Sequence, residues 1–280
     1  MSTPLPILDA AIYLAPLREG GSLPAVVETV EGGLWVVKFR GAGQGPRALV
    51  AEILVAGMAR ALGLAVPEIA LIHLEAEFGQ GERDPEIRDV LRASQGVNVG
   101  LRYMDGAFNL DPVAVPEAVT GDLAARVVWL DALVTNPDRS ARNPNLMLWE
   151  DRTWLIDHGA ALFDHHDWSR VTPDRTRRRF TGIRDHVLLG FADDVSSLDQ
   201  ALADRLDRAT LEEAVSAVPD ELLIDPTRTE GRGATPEEER RRYVDYLTLR
   251  LEAPRAFATE AESLRQERLR EVPRRLEARR

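Results

Sequence analysis

Two extended runs separated by a short glycine turn constrain the fold of this chain more than any other feature. PAVVETV (24–30) and LWVVKF (34–39) are rich in Val and aromatic residues, and Glu31-Gly32-Gly33 lies between them. Such side chains suit a pleated surface, and glycine supplies the positive φ of a tight turn, so the pair predicts a β-hairpin. RALVAEILVAGMARAL (47–62) then has helical character throughout, and Gly63 stands where a C-terminal cap belongs. Extended segments at 66–75 and 96–104 enclose a short helix at 86–93.

The middle changes character. Residues 123–133 read as a buried helix, which Thr135-Asn136-Pro137-Asp138 breaks, because Pro137 disfavours helical geometry at Asn136. Residues 146–149 and 153–156 flank Glu150-Asp151-Arg152 as a second hairpin. From 193 onward the chain is mostly helical, in 198–218 and 236–276, with i,i+4 charge pairs such as Glu238 with Arg242. The expectation is an α+β chain of the broad α/β class in two lobes with a cleft between them. Residues 1–104 form a strand-rich N-lobe, 105–280 a helix-rich C-lobe, and the hinge falls near 96–105.

Composition excludes several classes. There is no cysteine, hence no disulfide framework and no thiolate metal site. No run of eighteen apolar residues and no signal-like N-terminus is present, so a soluble, cytoplasmic protein with no membrane partner is expected. A net charge of −11 argues against direct nucleic-acid binding. TRRRF (176–180) is read as an exposed loop or helix face, and Asp164-His165-His166-Asp167 as a polar loop, since adjacent side chains diverge and cannot share one ion.

Of the 35 basic residues, Lys38 is the one lysine; the other 34 are arginine. Lysine and arginine are not equivalent where a compact point charge must fit a phosphate. Lys38 ends the strand V-V-K-F, as in the V-A-I-K strand whose lysine contacts the α- and β-phosphates of ATP. Glu52, on the helix that follows, stands where a carboxylate partner for that lysine belongs; the alternative is an ordinary exposed helical residue. Gly20-Gly21-Ser22 occupies the place of a phosphate-covering loop.

The chemistry concentrates further on. Asp138 precedes Asn143 by five residues in a loop after the buried helix, and fourteen residues later TWLI delivers Asp157-His158-Gly159. Phosphoryl transfer needs positioning and charge neutralisation rather than covalent help. Asp138 would orient the attacking hydroxyl and accept its proton. Asn143 and Asp157 would hold Mg²⁺, a hard ion that prefers oxygen ligands. Gly159 would let the backbone turn away from the metal. His158 either touches substrate or fills the turn, and Asn145 either helps the metal or bonds the loop.

NPDRSARNPNLMLW followed by WLIDHGAAL, with VVKF, the Glu52 helix and LGLAVPEIAL before them, resembles the HipA-like kinase family. The loop is also similar to the N-x-D-R form of type II phosphatidylinositol 4-kinases. The resemblance extends to about residue 189. It implies a two-lobed, protein-kinase-like fold, with Asp138 as catalytic aspartate, Asn143 and Asp157 as Mg²⁺ ligands and Lys38 as the ATP-phosphate lysine. It also implies phosphorylation of protein serine or threonine, autophosphorylation at Ser22, and an antitoxin-like partner, since some members are toxins so paired. Two departures stand against the toxin reading: N-P-D-R-S lacks the His two residues after the aspartate, and little precedes residue 20 to form the toxins' extra subdomain. A small-molecule or lipid hydroxyl as acceptor, and a nucleotide-binding pseudokinase, are the alternatives.

Overall fold

A computed structural model describes residues 4–17, 23–43, 45–113, 117–224 and 234–277. The glycine-rich stretch Gly20-Gly21-Ser22 lies outside the described residues. The hairpin forms as β2 (Ala25–Thr29) and β3 (Leu34–Lys38), with Gly32 and Gly33 at φ 88 and 92 in its turn. Before it runs β1 (Ile7–Pro16), and after it come α1 (Pro46–Ala61), β4 (Ile69–Leu74), α2 (Pro85–Ala93) and β5 (Gly96–Arg102). The five strands close a barrel in the order β1-β2-β3-β5-β4, in which β1 pairs antiparallel with β2 and parallel with β4.

Side chains alternate across a strand, so Trp35 and Val37 fill the barrel with Val27, Ala70 and Ile72, under the Ile87 and Leu91 face of α2. Lys38 falls on the opposite side of β3. It is nonetheless only 8% exposed, because α1 covers that side. Helix α1 is buried nearly all round, which a helix tolerates only inside a core. One side meets Ile69, Leu71 and Val99 on the outside of β4 and β5, and the other meets the C-terminal helices. Each fully buried Leu or Val there contributes roughly 1.5–3 kcal/mol, so packing rather than helix propensity holds α1 in place.

The rest of the chain is a small sheet and a helical body. A strand β6 (Phe108–Asn109) pairs with β7 (Leu146–Trp149), which pairs with β8 (Arg152–Leu155), while α3 (Gly121–Leu133) runs through the core. Short helical turns and α4 (Pro173–Thr176) lead to α5 (Val195–Arg205), α6 (Arg208–Ser216), α7 (Asp220–Leu223), α8 (Pro236–Leu251) and α9 (Ala256–Glu277). Among the described residues no helix is long and apolar enough to cross a membrane.

Three features differ from the sequence reading. Strand β1 went unrecognised because none of its residues is buried; it is held by backbone pairing on both edges. The helical stretch 198–218 divides where Asp207 caps α6 by accepting from Thr210 N at 2.8 Å, and 236–276 divides at Pro254, which has no N–H to donate. Glu238 makes no direct ion pair with Arg242, whose charge acts on its carboxylate only from a distance. It forms a capping box with Thr235, and Arg242 bonds Glu239 at 2.5 Å.

Candidate active site

Helix α3 ends at Leu133, and Asn136 turns back onto Asp131 through its backbone N–H (2.9 Å to the carbonyl) and its Nδ2 (3.0 Å to Oδ1). Asn136 Oδ1 accepts from Asp138 N at 3.0 Å, which fixes the backbone that carries Asp138. The Asp138 carboxylate Oδ2 accepts from Asn143 Nδ2 at 3.0 Å and from Asn145 Nδ2 at 3.3 Å. Asn145 also donates to the Asp138 carbonyl at 2.9 Å, so of its two readings the structure shows the loop bond. Asp138 is held on three sides.

Asp157 follows β8 with φ 54, in the left-handed region that non-glycine residues rarely enter. The sequence reading placed that turning freedom on Gly159. The structure places it on Asp157 itself, while a Cβ on Gly159 would meet Ala48 at an ordinary 3.5 Å. Lys38 Nζ donates to Asp157 Oδ1 at 2.6 Å and to Glu52 Oε2 at 2.8 Å. Glu52 is fully buried and its Oε2 also accepts from His158 N at 2.8 Å. Its Oε1 has no partner among the described residues. Burial pushes the Glu52 carboxyl up against the pull of Lys38. Burial opposes the Lys38 charge too, but the two carboxylates outweigh it and hold the ammonium protonated. At Asp157 the Lys38 charge overcomes burial and lowers the carboxyl below its ordinary range.

His158 fills the turn and touches no cleft: it is fully buried. Its Nδ1 lies 3.3 Å from Arg139 Nη2, and a guanidinium only donates, so the ring is neutral with its proton on Nε2. Burial first, and Arg139 second, push its pKa down to about 3. Arg139 is bound in turn to Asp131, which also accepts from His186 Nε2 at 2.9 Å. Sequence reasoning missed Asp131, Arg139 and His186. One signal was present: an aspartate inside the apolar run of α3 must find a partner or lose its charge.

The donor set suits a hard cation. Asp157 Oδ1 is engaged by Lys38 and its carboxylate also takes a backbone bond from Gly159, while the side chain stays 36% exposed; Asn143 is exposed and turns only its Nδ2 to Asp138. Two protein oxygens are what Mg²⁺ takes when phosphates and water complete its shell. Among the described residues no cluster of three or more His, Asp or Glu could hold a metal unaided, and 164–167 is not one. Asp164 instead bonds Arg175 and Tyr246. The arginines of TRRRF pair with Glu252, Asp164 and Glu260 of the same chain. A cavity of about 480 Å³ lies elsewhere, between Arg47, Trp168, Thr172, Arg242 and Tyr246, and none of Lys38, Glu52, Asp138, Asn143 and Asp157 lines it.

Residues 13–230 match the family described as HipA-like kinase. The chain belongs to the HipA-like kinase family. Among solved structures this HipA-like kinase is similar to a Helicobacter pylori proinflammatory kinase, CtkA, with a TM-score of 0.50 at 11% identity over 94% of this chain and 99% of that one. At that identity the likeness speaks for the fold, a mixed α+β architecture with a strand-rich N-terminal and a helical C-terminal region. No curated protein sequence matches the chain.

Proposed function

We propose that this kinase transfers the γ-phosphate of ATP, with Mg²⁺, to a serine or threonine hydroxyl of a protein. The observation that carries the reading is the ammonium of Lys38, held between Glu52 at 2.8 Å and Asp157 at 2.6 Å. An ammonium has three N–H donors; two are engaged here and the third is left for a phosphate oxygen. The acceptor hydroxyl lies against Asp138, whose carboxylate Asn143 and Asn145 hold in one orientation. Asp138 takes the hydroxyl proton as the acceptor oxygen bonds the γ-phosphorus, and the bond to the bridging oxygen breaks to release ADP. Asn143 and Asp157 would hold Mg²⁺, which when bound neutralises charge on the phosphates.

Incubation with γ-³²P-labelled ATP tests this directly. Wild type labels a protein of its host lysate or itself, with Ser22 as the mapped site of self-labelling, and Asp138→Asn removes the label while keeping nucleotide-induced thermal stabilisation. If wild type labels no protein, the protein-kinase reading fails. Label found instead in a small hydroxyl compound or a lipid would move the acceptor to that class, and stabilisation by nucleotide without turnover would make the chain a pseudokinase.

A further inference from the structure

Arg139 follows Asp138 in the chain but points the other way, into the protein, where its side chain is 0% exposed. Its Nε donates to Asp131 Oδ2 at 2.6 Å, from a carboxylate that is itself 0% exposed on α3. Its Nη1 donates to the carbonyls of Asn145 and, at 3.4 Å, Ile156. Its Nη2 meets His158 Nδ1 at 3.3 Å. The Asn145 carbonyl is also where Ile156 N bonds, at 3.1 Å, so Nη1 closes the junction between the loop of Asp138 and the strand end that presents Asp157. His158, one residue beyond Asp157, passes the connection on through its backbone N–H to Glu52, and Glu52 to Lys38.

Stability alone does not account for this arrangement. A fully buried ion pair is often no better for stability than apolar residues of the same volume. What a guanidinium adds is a rigid planar fork of donors with fixed angles between its partners. Here the partners are α3, the loop of Asp138, the end of β8 and the turn after Asp157.

We propose that Arg139, oriented by Asp131, is a positioning residue that sets the spacing of Asp138 from Asp157 and, through His158, the seat of Glu52 and Lys38. This rests on the phosphotransfer reading of the same site. It predicts that charge at position 139 is not enough and that the fork is needed.

Arg139→Lys keeps the charge and removes the fork, and Arg255→Lys is the control, since Arg255 bonds Asp199 at 2.9 Å and none of the partners of Arg139. Two measurements are made on each full-length variant: ATP turnover, and hydrogen exchange without nucleotide. Arg139→Lys lowers kcat on the order of 100-fold, the scale of a 1 Å misplacement, with KM for ATP little changed. Its exchange rises in 138–145 and 156–159 and not across the molecule. Arg255→Lys changes neither kcat nor exchange in those segments. If wild type turns over no ATP but Arg139→Lys still loosens both segments selectively, the phosphotransfer reading falls and the positioning geometry stands. Wild-type kcat in Arg139→Lys, unchanged exchange in the two segments, or a uniform rise everywhere overturns the proposal.

Discussion

Lys38 and Asp157 stand 119 residues apart in the chain and meet at 2.6 Å, with Glu52 closing the far side of the ammonium at 2.8 Å. Glu52 is fully buried and would not tolerate its charge alone, so removing the ammonium strands it at a cost of about 3–5 kcal/mol, whereas Asp157, 36% exposed, keeps some of its water.

Replacement of the one lysine by the residue used everywhere else in the chain is the sharpest test of that contact. The planar guanidinium of Lys38→Arg cannot sit as a point charge at 2.6 Å from Oδ1 and 2.8 Å from Oε2, so the seat of Glu52 and Asp157 is disturbed. ATP turnover drops by on the order of 100-fold or more, as for loss of one preorganised charge contact. A Lys38→Arg variant that turns over ATP at the wild-type rate would show that the compact ammonium is not required.

Asp157→Asn keeps the shape of the side chain and removes its charge. Ligand charge sets affinity for a hard cation. The Mg²⁺ concentration for half-maximal nucleotide-dependent thermal stabilisation therefore rises by about an order of magnitude or more, and EDTA abolishes turnover of wild type. An unchanged Mg²⁺ requirement in a Mg²⁺ titration would remove Asp157 from the metal site.

Acid acts through His186. Its Nδ1 accepts from Leu188 N at 3.1 Å and its Nε2 donates to Asp131, so only the neutral ring satisfies both bonds. Burial, reinforced by Arg139 and opposed by Asp131, keeps its pKa below the ordinary 6.5. The unfolded chain thus binds a proton below 6.5 that the folded chain refuses. Stability is full above that pH and falls as pH drops beneath it, by up to about 1.4 kcal/mol per unit for each such histidine. His158, buried and neutral, adds to the same window. Asp131, whose pKa Arg139 and His186 hold low against burial, adds a second loss below 3.8. Urea unfolding at pH 7.5, 6.5 and 5.5 measures the slope, and His186→Gln reduces it. A flat profile down to pH 5 contradicts the buried neutral imidazoles.

The seat of Glu52 depends on packing one and a half turns further along α1. A Cβ on Gly57 would stand 3.1 Å from the Ala214 Cβ of α6. Gly57→Leu overpacks this crossing and destabilises by about 1–3 kcal/mol, read as a lower unfolding midpoint. Gly57→Ala gains helix propensity of up to about 1 kcal/mol against a mild squeeze, and stays near neutral. Equal stability of Gly57→Leu and wild type would mean that α6 is not packed on α1.

Local chemistry was legible wherever one residue decides a local outcome. Gly32 and Gly33 announced the first hairpin, the Val and Trp runs its strands, and Pro137 the break after α3. Lys38, Glu52 and Asp157 were named as residue types, and the structure brings these three into one hydrogen-bonded group. Asp138 and Asn143 share a second group. Arg139 was invisible for a compositional reason: among 34 arginines nothing marks those that are buried, which among the described residues are Arg139 and Arg250.

What the sequence alone determined is the order of the two hairpins and of the helices α1 and α3 between them, together with the residue types capable of phosphoryl chemistry. Turn geometry, alternation and capping are short-range effects that a few neighbours settle. What only the tertiary structure decided is which charges lose their water. Strand β1 shows this from the backbone side, being held by two edges while burying none of its residues. The pairing of Lys38 with Asp157, and of Arg139 with Asp131, shows it from the side-chain side. A buried charge persists only beside a partner, and that partner is chosen by distance in space rather than along the chain.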